Sequence, residues 1–114
     1  MEFEIRERVR DQIPVVSVVG ELDIATAPTL REHLTVHETA SVSTIVVDLL
    51  RVTFLDSSAL AVLVGFSRRL EKVGGALRLV IAEKKILKTL DVTGLIGVLT
   101  VHSTVRSALA AARR

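Results

Sequence analysis

The chain contains no cysteine, no tryptophan and no tyrosine, and only three phenylalanines. Without cysteine there is no disulfide framework and no thiolate metal site, a pattern that fits a reducing compartment. With so few aromatics there is no stacking platform for exposed bases. A strong charge of one sign is missing as well: the net charge is +2, and basic residues are interspersed with acids, as in Arg6-Glu7-Arg8. Nucleic-acid binding is therefore not expected. The densest apolar stretch, Ala59 to Phe66, falls far short of the ~20 residues a membrane-spanning helix needs, so no membrane partner is expected either. No charged leader followed by a hydrophobic segment and cleavage site opens the chain, so secretion is unsupported and a cytoplasmic protein is expected.

What is present suffices for a core. Apolar residues make up 49% of 114 positions, a length matching one domain of ~100–200 residues. We read residues 1–114 as one domain, with no linker, internal repeat or low-complexity segment.

The order of elements is set by apolar periodicity. Phe3 to Val9 alternates apolar and polar at period two, as a half-buried or edge strand does. Asp11-Gln12 makes a turn, Pro14 is tolerated only near the start of a strand, and Val15 to Val19 is a β-branched run that pairs back as a hairpin. Thr26 or Ala27 before Pro28 begins a helix with Leu30 and Leu34 inward. Thr44 to Leu50 is almost wholly apolar, as in a strand covered on both faces. A helix is predicted from Ser57 to Lys72, stopped by Gly74-Gly75. A strand over Leu77 to Ile81 comes next, then a helix through Ile86, Leu87 and Leu90 that Gly94 ends. Val98 to Val101 is the last strand, and Ser103 or Thr104 caps a final helix. The C-terminal arginine pair is either a frayed tail or a complement to that helix's dipole. The order β-β-α-β-α-β-α-β-α predicts an α/β fold: a mixed, mainly parallel sheet with an N-terminal hairpin and helices packed over it.

The helix from Ser57 carries the functional signal. With residues ~100° apart, Ala59, Leu63, Phe66 and Leu70 form the core face. The other side holds Ser58, Ala61, Gly65, Arg68, Arg69 and Lys72. Ser58, Val62, Gly65 and Arg69 form one stripe, with Ala61 beside it. A glycine inside an exposed helix costs about 1 kcal/mol relative to alanine, so this small-residue surface suits close approach by another chain. Asp56 or Ser57 can cap the helix, which leaves Ser58 free for chemistry. A phosphate there would sit at the positive end of the helix, adding about −1.5 to −2 charge without melting it. The expected effect is local blocking of a docked partner.

These residues resemble the STAS family, the anti-sigma factor antagonists of bacterial partner-switching systems. The resemblance rests on Gly20-Glu21-Leu22-Asp23, Val47-Asp48-Leu49, Phe54-Leu55-Asp56-Ser57-Ser58-Ala59, Gly74-Gly75 and Val92-Thr93-Gly94-Leu95, in the family's order across nearly the whole chain. It implies that Ser58 is phosphorylated by the anti-sigma factor, an ATP-using serine kinase. The unphosphorylated form would bind that kinase and free the sigma factor, and a metal-dependent serine phosphatase would restore the binding form. ATP belongs to the kinase, so no cofactor is expected in this chain. Asp23 and Asp56 would flank the same surface, with Ser57 as a neighbouring hydroxyl rather than the acceptor. Ala59 departs from the glycine of many members. The free-standing length and the retained serine favour the switching type over a phosphorylation-independent adaptor, such as a STAS subunit of a membrane transport complex.

The residues do not favour an enzyme. No G-x-S-x-G elbow surrounds Ser58. His33 and His37 have the i, i+4 spacing of metal ligands, but there is no H-E-x-x-H sequence and no obvious third ligand; they are read as exposed polar residues. Asp23 and Asp56 are read as a turn acid and a cap rather than a catalytic pair.

Overall fold

A computed structural model describes residues 2–113. The elements run β1 (Glu4–Arg10), β2 (Ile13–Leu22), α1 (Ala27–Thr39), β3 (Thr44–Leu55), α2 (Ser57–Lys72), β4 (Ala76–Val80), α3 (Lys84–Val92), β5 (Thr100–His102) and α4 (Val105–Ala112). One five-stranded sheet has the order β1-β2-β3-β4-β5. The β1–β2 pair is antiparallel, and each later pair is parallel. The expected α/β order and hairpin are therefore found. Asp11 and Gln12 form the hairpin turn with φ of 52° and 68°, the two positive values a two-residue turn needs to match strand twist.

Two cores explain the sequence pattern. On one sheet face, Val16, Val18, Ile45, Val47 and Leu49 pack under α1, α2 and α3. On the other, Ile13, Val15, Val46 and Val80 pack against Ala108 and Leu109 of α4. The first half of β3 is thus buried on both faces, which is why it reads as an unbroken apolar run.

Two strands run further than periodicity predicted. β3 continues past Leu50 to Leu55 and β2 past Val19 to Leu22, because the two pair with each other to their ends (Glu21↔Phe54, Leu22↔Leu55). Irregular register at Ser17/Val19 and Gly20/Glu21 breaks the alternation that would have revealed them. At the far end of α2, Gly74 (φ 81°) and Gly75 close the helix with Gly75 N–H donating to the Leu70 carbonyl at 2.8 Å, a Schellman-type stop. A side chain on Gly75 would collide with the Ser43 backbone.

Thr104, of the two candidate caps, starts α4, its hydroxyl accepting the Ser107 N–H at 3.0 Å. Of the C-terminal arginine pair, Arg113 donates to the Leu109 carbonyl at 3.2 Å and pairs with Asp11 at 3.2 Å, so it ties the last helix to the hairpin turn. Arg114 lies outside the described residues.

Candidate functional site

The parallel pairing of β2 and β3 to their last residues sets the loops after both strands side by side at one edge of the sheet. This carboxyl edge is where open α/β sheets place their sites. The Asp23 and Asp56 loops meet here, and Asp56 N–H donates to the Leu22 carbonyl at 3.1 Å.

Each acid has a structural task. Asp23 Oδ1 accepts the N–H groups of Ala25 and Thr26 at 2.9 and 3.0 Å. Thr26 Oγ1 donates to the Glu21 carbonyl at 2.7 Å, so the short loop into α1 is braced from both ends. Asp56, in extended conformation, is the N-cap of α2: its Oδ1 accepts Ser58 N–H at 2.9 Å and Ala59 N–H at 3.2 Å. Of the two caps the sequence allowed, the carboxylate serves. The hydroxyls of Ser57 and Ser58 then have no hydrogen-bond partner among the described residues. Ser57 is exposed and Ser58 half-buried, both in the first turn.

The expected stripe needs correction. Val62 is only 3% exposed and belongs to the core with Leu30 and Leu34 of α1. Gly65 is half-buried, and Arg69 stacks on the Phe66 ring at 4.1 Å and pairs with Glu38 of α1 at 2.8 Å. The physical reason is angular: Val62 lies ~60° from Ala59 around the helix, within the arc that α1 covers. The line from Ser58 to Arg69 therefore runs along the α1–α2 seam. The exposed ridge of α2 is Ser57, Ala61, Arg68 and Lys72, with Val64 half-buried beside them. Ser57, Leu60, Ala61 and Val64 face Thr93 and Leu95 across a shallow, almost wholly apolar groove of about 290 Å³.

Two exposed apolar residues near the motif acids escaped the sequence pattern. Ile24 is 76% exposed and Phe54 47% exposed, one in the Asp23 loop and one two residues before Asp56. Their signal was present, since each is a large apolar residue beside a motif acid, but pattern alone assigns such residues to a core.

His33 and His37 are not free surface groups. Glu7 of β1 contacts both, Oε2 to His33 Nδ1 and Oε1 to His37 Nε2. Burial raises the Glu7 carboxyl, but hydrogen bonds from His33 and His37, together with their charge, outweigh it and hold it below its ordinary value. Among the described residues, no three His, Cys, Asp or Glu side chains are arranged to hold a metal ion, and no helix is long and apolar enough to cross a membrane.

The model of the STAS domain family matches residues 4–108. The chain belongs to this family. The anti-sigma-B factor antagonist of Listeria monocytogenes is 31% identical over 103 residues, covering 90% of each chain. The crystal structure of an anti-sigma factor antagonist from Mycobacterium paratuberculosis is 30% identical, with a TM-score of 0.90 over 99% of this chain and 96% of that one. The Bacillus cell-fate determinant SpoIIAA, in its phosphorylated form, is 25% identical, with a TM-score of 0.70 over 96% of this chain and 97% of that one. The STAS fold expected from the motifs is thus the fold found.

Proposed function

We propose that this STAS domain is a cytoplasmic anti-sigma factor antagonist whose unphosphorylated form binds an anti-sigma factor serine kinase in its ATP-bound state and releases the sigma factor. Phosphorylation of Ser58 blocks that binding, and a serine phosphatase reverses it. The chain itself acts by binding and not by catalysis.

The observation that carries the proposal is the Ser58 hydroxyl. It sits in the first turn of α2 without a hydrogen-bond partner among the described residues, its capping task taken by Asp56. The names of the similar proteins support the reading, as does the phosphorylated form of one of them. The contact surface comprises Asp23, Asp56, Ser57, Ser58 and Ala61, extended by Ile24 and Phe54. Gly65 and Arg69 lie on its α1 side, and Val62 acts only through packing. A phosphate on Ser58 would place a dianion beside the Asp56 carboxylate and against any chain seated on Ala61. Charge and bulk then exclude the partner without refolding.

The test is incubation with candidate kinase and ATP, then mass-spectrometric location of the phosphate. Phosphate on Ser58 is expected. A kinase that binds the chain yet leaves Ser58 unmodified would favour the phosphorylation-independent adaptor.

A further inference from the structure

The helices cover the sheet unevenly. On the face under α4, the buried apolar strand residues are Ile13, Val15, Val46 and Val80, and His102 of β5 reaches Ser107 of α4. The rest of that face, across β1, β2 and the middle of β3, has no helix above it among the described residues. Register arranges side chains there in rows: Arg6 opposite Ser17, Ser17 opposite Asp48, and Val19 opposite Arg51. Arg8 stands opposite Val15, on the far side of the Ser17 row from Arg51 and so two rows from it. Long side chains on the flanking strands thus stand over short ones on β2. The result is a concavity of about 410 Å³, within the range of small-molecule sites.

Its polar groups are unequally committed. Asp48 uses both oxygens, Oδ2 accepting from Ser17 Oγ at 3.2 Å and Oδ1 from Leu50 N–H at 3.0 Å. Arg6 is paired with Glu4 at 2.9 Å. The Glu7 side chain lies on the other face, opposite Val16, where His33 and His37 of α1 hold its carboxylate. Arg8 and Arg51 have neither ion-pair nor hydrogen-bond partners among the described residues. Two uncommitted guanidinium groups thus border a half-enclosed space beside a third.

We propose that this trough binds a small phosphate-bearing solute, with Arg8 and Arg51 as its principal ligands. Guanidinium forks pair with phosphate oxygens through two parallel hydrogen bonds. Phosphate has enough terminal oxygens to engage forks from both walls, whereas a single carboxylate is filled by one. The two arginines come from β1 and β3, so a bound dianion would bridge strands on either side of β2. The trough lies on the sheet face away from α2, and its occupancy does not depend on the role of Ser58.

The test is an amide-resolved NMR titration of the full chain. Inorganic phosphate and glycerol 3-phosphate are the two phosphate probes, with sodium chloride at matched ionic strength and a short glutamate peptide as controls. Saturable shifts at Arg6, Ser17, Val19 and Arg51 are expected with at least one phosphate probe. Saturation by both assigns the free anion as sufficient, and saturation by the ester alone assigns a phosphorylated metabolite. The Arg8→Ser/Arg51→Ser double variant should weaken binding by roughly tenfold or more, the loss expected for charge-assisted hydrogen bonds. Both positions are exposed, and an unchanged amide spectrum elsewhere establishes that the variant is folded. Linear shifts equal to those with chloride, saturation by the peptide alone, or undiminished phosphate affinity in the double variant would overturn the proposal.

Discussion

Asp56 Oδ1 holds the backbone N–H of Ser58 at 2.9 Å while the Ser58 hydroxyl has no partner among the described residues. One residue therefore caps the helix and the other keeps an uncommitted hydroxyl, a division of labour set by the extended backbone of Asp56. Asp56→Ala should then cost about 1 kcal/mol of stability, as loss of an N-cap does. Asp56→Asn should recover most of it. Urea unfolding of the three proteins measures both.

Charge at Ser58 should decide binding. Ser58→Ala is expected to retain the anti-sigma kinase in pull-downs, and Ser58→Asp to weaken its capture. Equal affinity of the two variants would contradict blocking by charge.

The corrected geometry of α2 separates packing from contact. Val62→Ala should destabilise the fold by about 2 kcal/mol through lost burial and a residual cavity, leaving kinase affinity unchanged once the protein is folded. Ala61→Arg should change stability by no more than ~0.5 kcal/mol and abolish capture. Ile24→Ser should also weaken capture, because it removes a large exposed apolar group beside Asp23. Unfolding curves paired with calorimetric binding discriminate the two classes.

The burial of Val62 is not legible in the sequence for a physical reason. Capping is local chemistry, and Asp-Ser-Ser before an apolar periodic run marks a helix start within three residues. Which flank of a helix is covered depends on where α1 lies, and nothing in α2 encodes that. The order of strands and helices was legible because β-branched runs alternate with helical periods and glycine stops. The extension of β3 to Leu55 was not, because Arg51 to Phe54 are held in the strand by pairing with β2. The Glu7 contacts with His33 and His37 join residues 26 and 30 positions apart, beyond the reach of local pattern.

Those contacts carry a pH dependence. The Glu7 carboxyl is held below its ordinary value in the folded protein. The unfolded state therefore binds the proton more readily, and the stabilisation is fully present above the ordinary carboxylate value. It is lost as pH falls through the lowered one. Glu7→Gln should flatten this part of the acid limb of a stability–pH profile, and a limb of unchanged slope would remove Glu7 from the account.

His102 offers a second titration. Burial, then the charge of Arg78, push its imidazole below the ordinary 6.5. Arg78 can only donate, so His102 Nε2 accepts from it at 3.1 Å, and Nδ1 carries the proton toward Ser107 Oγ at 3.2 Å. Nitrogen-detected NMR should find the Nδ1–H tautomer and a midpoint under 6.5. In Arg78→Met that midpoint should rise only part of the way, since burial is the larger cause.

The sequential order of the sheet bears on how the molecule is made. Every strand from β2 to β5 pairs with the one before it, so no later segment has to be threaded between two strands already joined. A chain emerging from its N-terminus can lengthen the sheet one strand at a time. The Asp23 and Asp56 loops come together once β3 has zipped onto β2, before the residues of β4, β5 and α4 are needed. The surface around Ser58 is thereby among the first parts of the molecule whose framework can form.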